Sequence, residues 1–230
     1  MRKGVQKIYS EVAETYELVN HILTFGFDIR WRKLGAQRAA KKRGHKILDV
    51  CCGTGEMAQS LSRAAIENAE IYLVDFSFPM LDKARQRKYE SYTSFILAEA
   101  NKLPYKDNTF DLITISFAIR NLNTRKDILF AFLEEFYRVL KPGGTFINVE
   151  TSQPSSFALK KVFHFYIKTF VRPVGSLISG SSSGYRYLAH TIPRFFCADE
   201  LSFILKSVGF SQVDYINKFG GIAAIHEAVK

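Results

Sequence analysis

Residues 47–58 read Ile47-Leu48-Asp49-Val50-Cys51-Cys52-Gly53-Thr54-Gly55-Glu56-Met57-Ala58, and Asp75 closes the next apolar run. The first stretch has the apolar character of a strand buried on both faces, and it runs straight into a glycine turn. A second strand then ends in a carboxylate about 20 residues past the glycines. This is the outline of a nucleotide-cofactor site on an α/β sheet.

The spacing Gly53-x-Gly55-x-x-Ala58 also fits the dinucleotide fingerprint, so the glycines alone do not choose the cofactor. Asp49 does more. A dinucleotide places a doubly charged pyrophosphate on this turn, at a helix N-terminus, and a carboxylate just before the turn opposes that anion. S-adenosylmethionine has no phosphate; it carries a sulfonium and an amino group, and an acidic strand end suits both. Asp75 is then the acceptor for the two ribose hydroxyls. The structural alternative for Asp49 is a carboxylate that caps the loop.

Working outward, Lys46–Cys51 is the first strand, followed by a helix from Glu56 to about Ala65. The second strand is Glu70–Asp75, and a helix opened by Pro79 runs to about Glu90. Strands are expected at Ser94–Ala100, Phe110–Ile119 and Thr145–Thr151. Between the last two lies a helix from Thr124 to Leu140, stopped by Lys141-Pro142-Gly143-Gly144. Asp199 is expected to cap a helix to about Val208. Ser211–Phe219 and Ile222–Val229, joined at Gly220-Gly221, read as an antiparallel hairpin. The sum is an α/β fold: a doubly wound, Rossmann-like, seven-stranded sheet with an antiparallel C-terminal hairpin. We read a single domain over 1–230. A helical N-terminal lid covers 1–45, with a break at Gly26, and the cofactor-binding core covers 46–151. A helical lid insertion with a mobile loop at Gly180–Gly184 covers 152–197, and a helix plus hairpin covers 198–230.

The chain has 230 residues and is 47% hydrophobic, which fits a globular protein with a sizeable core. It shows no run of about 18 apolar residues and no signal peptide behind Met1-Arg2-Lys3-Gly4. Cys51, Cys52 and Cys197 make an odd cysteine set without zinc spacing, as expected in a reducing cytoplasm. No metal is expected. The net charge of +10 is uneven: +7 over 1–46, −2 over 47–154 and +5 over 155–230. Most of these cations read as ordinary solvated helix faces, and two basic flanks also suit an anionic membrane face. Nucleic acid is the other polyanion, but no nucleic-acid motif accompanies the charge, so no nucleic-acid partner is expected.

Further stretches extend the pattern: Glu14-Thr15-Tyr16-Glu17-Leu18-Val19-Asn20, Gly26 with Trp31-Arg32, Asp107 through Asn121, Arg138 through Gly144, Tyr185 through Ile192, and Gly221 through His226. With them the chain resembles the menaquinone/ubiquinone biosynthesis C-methyltransferase family, which has the class I methyltransferase fold. Arg120-Asn121 and Tyr185–Ile192 are the most specific to that family. The resemblance implies cofactor contacts at Gly53, Thr54, Gly55, Asp75, Glu99, Ala100 and Ser116, with S-adenosyl-L-methionine consumed and S-adenosyl-L-homocysteine released. Departures are Glu56 where Asp is usual, Glu99 where Asp or Asn is usual, and Thr151-Ser152-Gln153-Pro154 in place of a Phe-Ser-Lys-Pro ending.

The implied reaction is methylation of a ring carbon on a prenylated quinol, most simply demethylmenaquinol. A ubiquinone-precursor benzoquinol, or another small phenolic or lipid acceptor, is the alternative. Arg120 is the expected stabiliser of the phenolate; a salt-bridged structural arginine is the competing reading. Tyr16 is expected to bond the ring hydroxyl or close over the cofactor. His21, His164 and His190 are the candidate bases, each also readable as structural, and a positioned water suffices for a phenol. Phe163, Phe165, Tyr166, Phe170, Phe195 and Phe196 are expected to line the tail pocket. The protein is expected in the cytoplasm, in peripheral contact with an anionic membrane, and a homodimer is compatible with the sequence.

Overall fold

The computed structural model describes residues 9–64, 66–123 and 125–230. The expectations at Met1–Gly4, Ile8, Ala65 and Thr124 fall outside them. Seven strands form one sheet: β1 (Lys46–Val50), β2 (Glu70–Asp75), β3 (Tyr92–Leu97), β4 (Phe110–Ser116), β5 (Leu140–Thr151), β6 (Gln212–Lys218) and β7 (Ala223–Val229). Their order is β3-β2-β1-β4-β5-β7-β6. The first five are parallel, while β7 runs antiparallel to both β5 and β6. The doubly wound sheet and its C-terminal hairpin stand as expected. Strand order reverses between β1 and β4, which is where open α/β sheets bind ligands.

The α-helices that accompany the sheet include α1 (Tyr16–Leu23), α2 (Phe27–Ala39), α3 (Glu56–Ser62), α4 (Phe78–Arg85), α5 (Ile119–Leu122), α6 (Lys126–Val139), α7 (Phe157–Tyr166), α8 (Arg172–Ser179), α9 (Ser182–Thr191) and α10 (Ala198–Val208). The two-residue period of the strands divides the core. Leu48, Val50, Ile113 and Phe146 pack on one face against Leu133 and Phe136 of α6 and Leu205 of α10. Ile47, Leu73 and Ile147 pack on the other against Trp31 of α2 and Met57 of α3. A third cluster joins Val19 and Met80 to Phe163, Ile167 and Tyr185, and so seats the inserted helices over the sheet's carboxyl edge.

Several boundaries differ from the expected ones. β3 lies two residues earlier, which leaves Glu99 and Ala100 in the loop beyond it. β4 stops at Ser116 because Phe117 turns left-handed at φ 54, and Ile119–Leu122 then form a helical turn. α4 stops at Arg85 and not near Glu90; the Ala84 carbonyl near its end accepts from the Arg87 amide at 3.1 Å and from the Tyr89 hydroxyl at 2.9 Å. Lys141–Gly144 does not separate α6 from β5. It is a bulged start of that strand, between the pairs Phe110–Leu140 and Leu112–Thr145. Gly180–Gly184 is no long loop: Gly180 ends α8 at φ 70, and α9 begins two residues on. Asp199 is not the cap of α10. Cys197 holds that position, its amide donating to Glu200 at 2.8 Å, and Asp199 instead accepts from the Tyr215 hydroxyl at 2.6 Å. Ile167–Val171 winds as a π-helical turn between α7 and α8.

Candidate active site

Because β1, β2 and β4 are parallel and adjacent, their carboxyl ends open on one side of the sheet. A cavity of ≈ 490 Å³ lies there, walled by Gly53, Asp75, Glu99, Ala100 and Ser116 among others. Five of the expected cofactor contacts therefore share one wall. Asp75 is buried and already braces the glycine loop, accepting from the Gly53 amide and the Ser77 amide at 2.8 Å each. Burial raises its carboxyl to about 6 against the pull of those amides.

Asp49, Thr54 and Gly55 do not line the cavity; they shape the loop from beneath. The Thr54 carbonyl accepts from Arg87 Nε at 2.5 Å, and Arg87 also pairs with Glu17 of α1, which ties the N-terminal helices to the glycine loop. Asp49 is fully buried. Its Oδ1 accepts from the Thr114 hydroxyl at 2.7 Å, and its Oδ2 makes no hydrogen bond. Burial drives its carboxyl up to about 7, offset in part by Thr114, the Arg32 charge and the Ala58 amide. An ionised carboxylate kept short of partners favours an incoming cation, so the residues present fit a sulfonium cofactor.

The two glycines of the loop answer to different constraints. A Cβ on Gly55, at φ +82, lies 2.4 Å from Tyr89 Oη and 3.0 Å from Ala84 Cβ. A Cβ on Gly53, at φ +54, meets nothing within 4 Å, and Gly53 itself lines the cavity. Gly55→Ala should therefore cost about 1–3 kcal/mol of stability, seen as a lower midpoint in thermal or urea unfolding. Gly53→Ala should cost only the left-handed penalty of about 1 kcal/mol while weakening cofactor binding by titration. Equal loss of stability in both variants counts against this division.

A second cavity of ≈ 350 Å³ adjoins the first, with Tyr16 and Phe117 lining both. Its lining is mainly aromatic and aliphatic, including Phe27, Trp31, Phe163 and Tyr166, with Asn20, Thr24 and the Asp28–Arg32 pair among the polar residues. Arg120, carried on the α5 turn and buried, lines this second cavity and not the first. Its Nε has no hydrogen-bond partner, and its guanidinium forms no ion pair among the described residues. The α5 turn is held by the buried Glu150, whose carboxylate accepts the Arg120 amide at 3.2 Å and the Thr151 amide at 2.8 Å. A salt bridge to the Arg120 guanidinium, the competing reading, is absent among the described residues. Tyr16 keeps its proton: burial raises its phenol, with Arg32, Asn20 and Arg120 opposing.

The expected tail pocket needs correction. Phe163 and Tyr166 line the second cavity, but Phe165 and Phe170 project outward from it. Phe195 and Phe196 pack into the core on the far face of the sheet. Two residues apart on a helix point to different sides, so Phe163 and Phe165 cannot both face inward. None of the three histidines considered as a base lines either cavity. His21 Nδ1 lies 2.9 Å from Asp28 Oδ2, His164 Nε2 2.7 Å from Gln153 Oε1, and His190 Nδ1 3.2 Å from Arg194. Glu17, His21 and Glu56 bring ligand atoms within 4.8 Å of one another. Arg87 and Arg32 already neutralise the two carboxylates, and Arg32 stands 3.2 Å from Glu56, an arrangement that opposes a bound cation.

Sequence reasoning missed Tyr9 and Asn121. Asn121 Nδ2 donates to the Tyr9 hydroxyl at 2.6 Å, and both line the first cavity. The Arg120-Asn121 pair was a local signal for Asn121. Tyr9 carries none, because its place is set by the packing of the N-terminal segment.

The sheet order and the glycine loop over its carboxyl edge define a class I, S-adenosylmethionine-dependent methyltransferase. Solved structures agree on the fold. A SAM dependent methyltransferase from Aquifex aeolicus superposes with a TM-score of 0.55 at 21% identity, covering 81% of this chain and 82% of that one. A SAM-dependent methyltransferase from Thermotoga maritima, described as a possible histamine N-methyltransferase, superposes at 0.60 with 22% identity, covering 94% and 98%. The chain belongs to the ubiE/COQ5 methyltransferase family, whose model matches residues 1–230. It is 36% identical to the ubiquinone/menaquinone biosynthesis C-methyltransferase UbiE of Azotobacter vinelandii, over 99% of this chain and 90% of that protein. It is 35% identical to the UbiE of Pasteurella multocida, over 100% and 85%.

Proposed function

We propose that this enzyme methylates a ring carbon of a prenylated hydroquinone, demethylmenaquinol first, with a ubiquinone-precursor benzoquinol as the nearest second substrate. The observation that supports this reading most is the pairing of two cavities through the Tyr16 and Phe117 wall, the second one mainly aromatic and aliphatic and holding, besides the Arg32–Asp28 ion pair, the buried Arg120 guanidinium, which has no carboxylate ion-pair partner among the described residues. An aromatic ring bearing a long hydrocarbon tail and one developing negative charge matches that lining. Two relatives with high coverage carry the name ubiquinone/menaquinone biosynthesis C-methyltransferase.

The bound cofactor supplies an electrophilic methyl group. The chain's own residues do the rest. Asp75, Glu99, Ala100 and Ser116 hold and orient the cofactor, the ionised Asp49 favours its positive charge, and Gly53 leaves room at the loop. Arg120 stabilises the ring oxygen as it ionises, which raises electron density on the neighbouring ring carbon. Tyr16 donates a hydrogen bond toward the acceptor. The apolar wall excludes water and so strengthens the Arg120 interaction. With no histidine on either cavity, a water held by the polar groups takes the proton. The work is done in the cytoplasm, against the membrane that carries the quinol.

The test is methyl transfer from labelled cofactor to reduced demethylmenaquinone and to a demethylated benzoquinol, side by side. Product on the naphthoquinol in excess of the benzoquinol is expected. Product on neither ring, with transfer to some other phenol, overturns the proposal.

A further inference from the structure

The surface around the mouth of the second cavity has an unusual composition. Over residues 152–197 the chain carries Lys160, Lys161, Lys168, Arg172, Arg186 and Arg194 and not one Asp or Glu. Residues 18–46 carry a single acid, Asp28, and it is buried against Arg32. The same two segments expose large apolar side chains to solvent: Leu177 is 87% exposed, Phe25 75%, Phe157 72% and Phe165 66%, with Leu18 and Ile22 beside them. A monomer has no use for such a patch in water. The two segments meet there, with the Phe25 and Tyr166 rings 6.1 Å apart and Tyr166 stacked on Phe170 at 5.3 Å.

The patch is continuous with the cavity. Phe25, Val162 and Phe219 are exposed and also line it, so the cavity opens within the apolar surface. Cations are interleaved in sequence with the lining residues Leu159, Val162, Ile167 and Val171. The Lys161 ammonium lies 4.5 Å from the Phe157 ring, and Lys168 and Arg172 follow on the π turn and α8. No helix among the described residues is long and apolar enough to cross a membrane. An apolar face with interleaved cations and no carboxylates is the composition that settles at the headgroup–acyl boundary of an anionic bilayer.

We propose that the face formed by α7, the π turn, α8 and the Phe25 turn docks on an anionic lipid bilayer. Leu177, Phe165 and Phe157 enter the acyl boundary, and the second cavity faces the hydrocarbon. A quinol tail then passes from the bilayer into the cavity without crossing water. This purpose rests on the lipid-quinol reading; the docking itself does not, and it can be measured with no substrate present.

The experiment is co-sedimentation of the full chain with phosphatidylcholine vesicles, with and without phosphatidylglycerol. Binding should require phosphatidylglycerol and weaken with added salt. Leu177→Asp and Phe165→Asp should each reduce binding by about tenfold or more. Both side chains lie outside the two cavities, so methyl transfer to a quinol with a short, water-soluble tail should be unchanged. Anionic vesicles that fail to bind the chain, or that bind both variants as well as the parent, overturn the proposal. A concentration-dependent dimer abolished by Leu177→Asp, with no vesicle binding, overturns it in favour of a second copy on this face. Loss of soluble-quinol methylation in the parent chain bears on the function alone.

Discussion

Arg120→Ala lowers methyl-transfer turnover by ~10²-fold or more and leaves cofactor affinity close to that of the parent, the scale for losing one oxyanion donor. The split between the two readouts follows from place: Arg120 lines the second cavity, proposed for the acceptor, and not the first, proposed for the cofactor. The chain also contains its own phenols near this charge. Burial raises Tyr9, Tyr16 and Tyr187, and in each the Arg120 charge pulls the other way. A substrate phenol in the same cavity feels the same pull, although the Glu150 carboxylate opposes it at Tyr9 and Tyr187; the guanidinium itself forms no ion pair among the described residues. In Arg120→Ala that help is gone, and the remaining rate should climb with pH as the free phenol ionises unaided. Arg120→Lys should recover part of the turnover, because a point charge replaces the fork but not its geometry. The checks are single-turnover rates at several pH values and a cofactor titration. Equal turnover in Arg120→Ala and parent at pH 7 retires the residue from this role. The α5 turn should survive the substitution, because Glu150 holds it through the Arg120 backbone amide.

The parts of this site that were legible from sequence are those set by local chemistry. The bounds of β2 at Glu70–Asp75 fall where an apolar run ends in a carboxylate, and the turn at Gly53–Gly55 needs positive φ at two places. What could not be read is set by partners far along the chain. Phe117-Ala118-Ile119 is apolar enough to continue β4, yet the chain leaves the sheet there because Phe117 turns left-handed. The helical turn that follows is fixed by a carboxylate 30 residues away. That departure is what places Arg120 over the second cavity. Among the lid aromatics, the helical period shows that Phe163 and Phe165 face apart, but only the packing of Phe163 with Val19 and Ile167 determines which one is inward. A strand-end aspartate was legible too, although its position behind the loop, and not in the cavity wall, was not.

That position makes Asp49→Asn the most revealing substitution, because it should move binding and stability in opposite directions. In the free enzyme the carboxyl titrates near 7, against about 4 for an ordinary aspartate. A folded-state value above the unfolded one means that the folded chain holds more protons between pH 4 and 7. Stability of the free enzyme therefore falls as pH rises through that window. The cost at pH 8 is on the order of 4 kcal/mol. Asparagine removes the charge and keeps an oxygen for Thr114, at the cost of a buried amide worth about 1–3 kcal/mol. Free Asp49→Asn should thus be as stable as the parent at pH 8 or more so, by thermal unfolding. Cofactor binding runs the other way. A positively charged ligand draws on the ionised form, so parent affinity should be roughly tenfold weaker at pH 6 than at pH 8, with Asp75, near 6, adding a factor of about two. Asp49→Asn should bind ~10²-fold more weakly at pH 8, and most of its pH dependence should vanish, leaving only the smaller step from Asp75. A merely loop-capping carboxylate predicts the reverse on the first count: the variant loses stability and keeps the parent's pH dependence of binding. Isothermal titration at three pH values beside one melting series separates the two, and a destabilised variant with an unchanged pH profile ends the electrostatic account of this cofactor site.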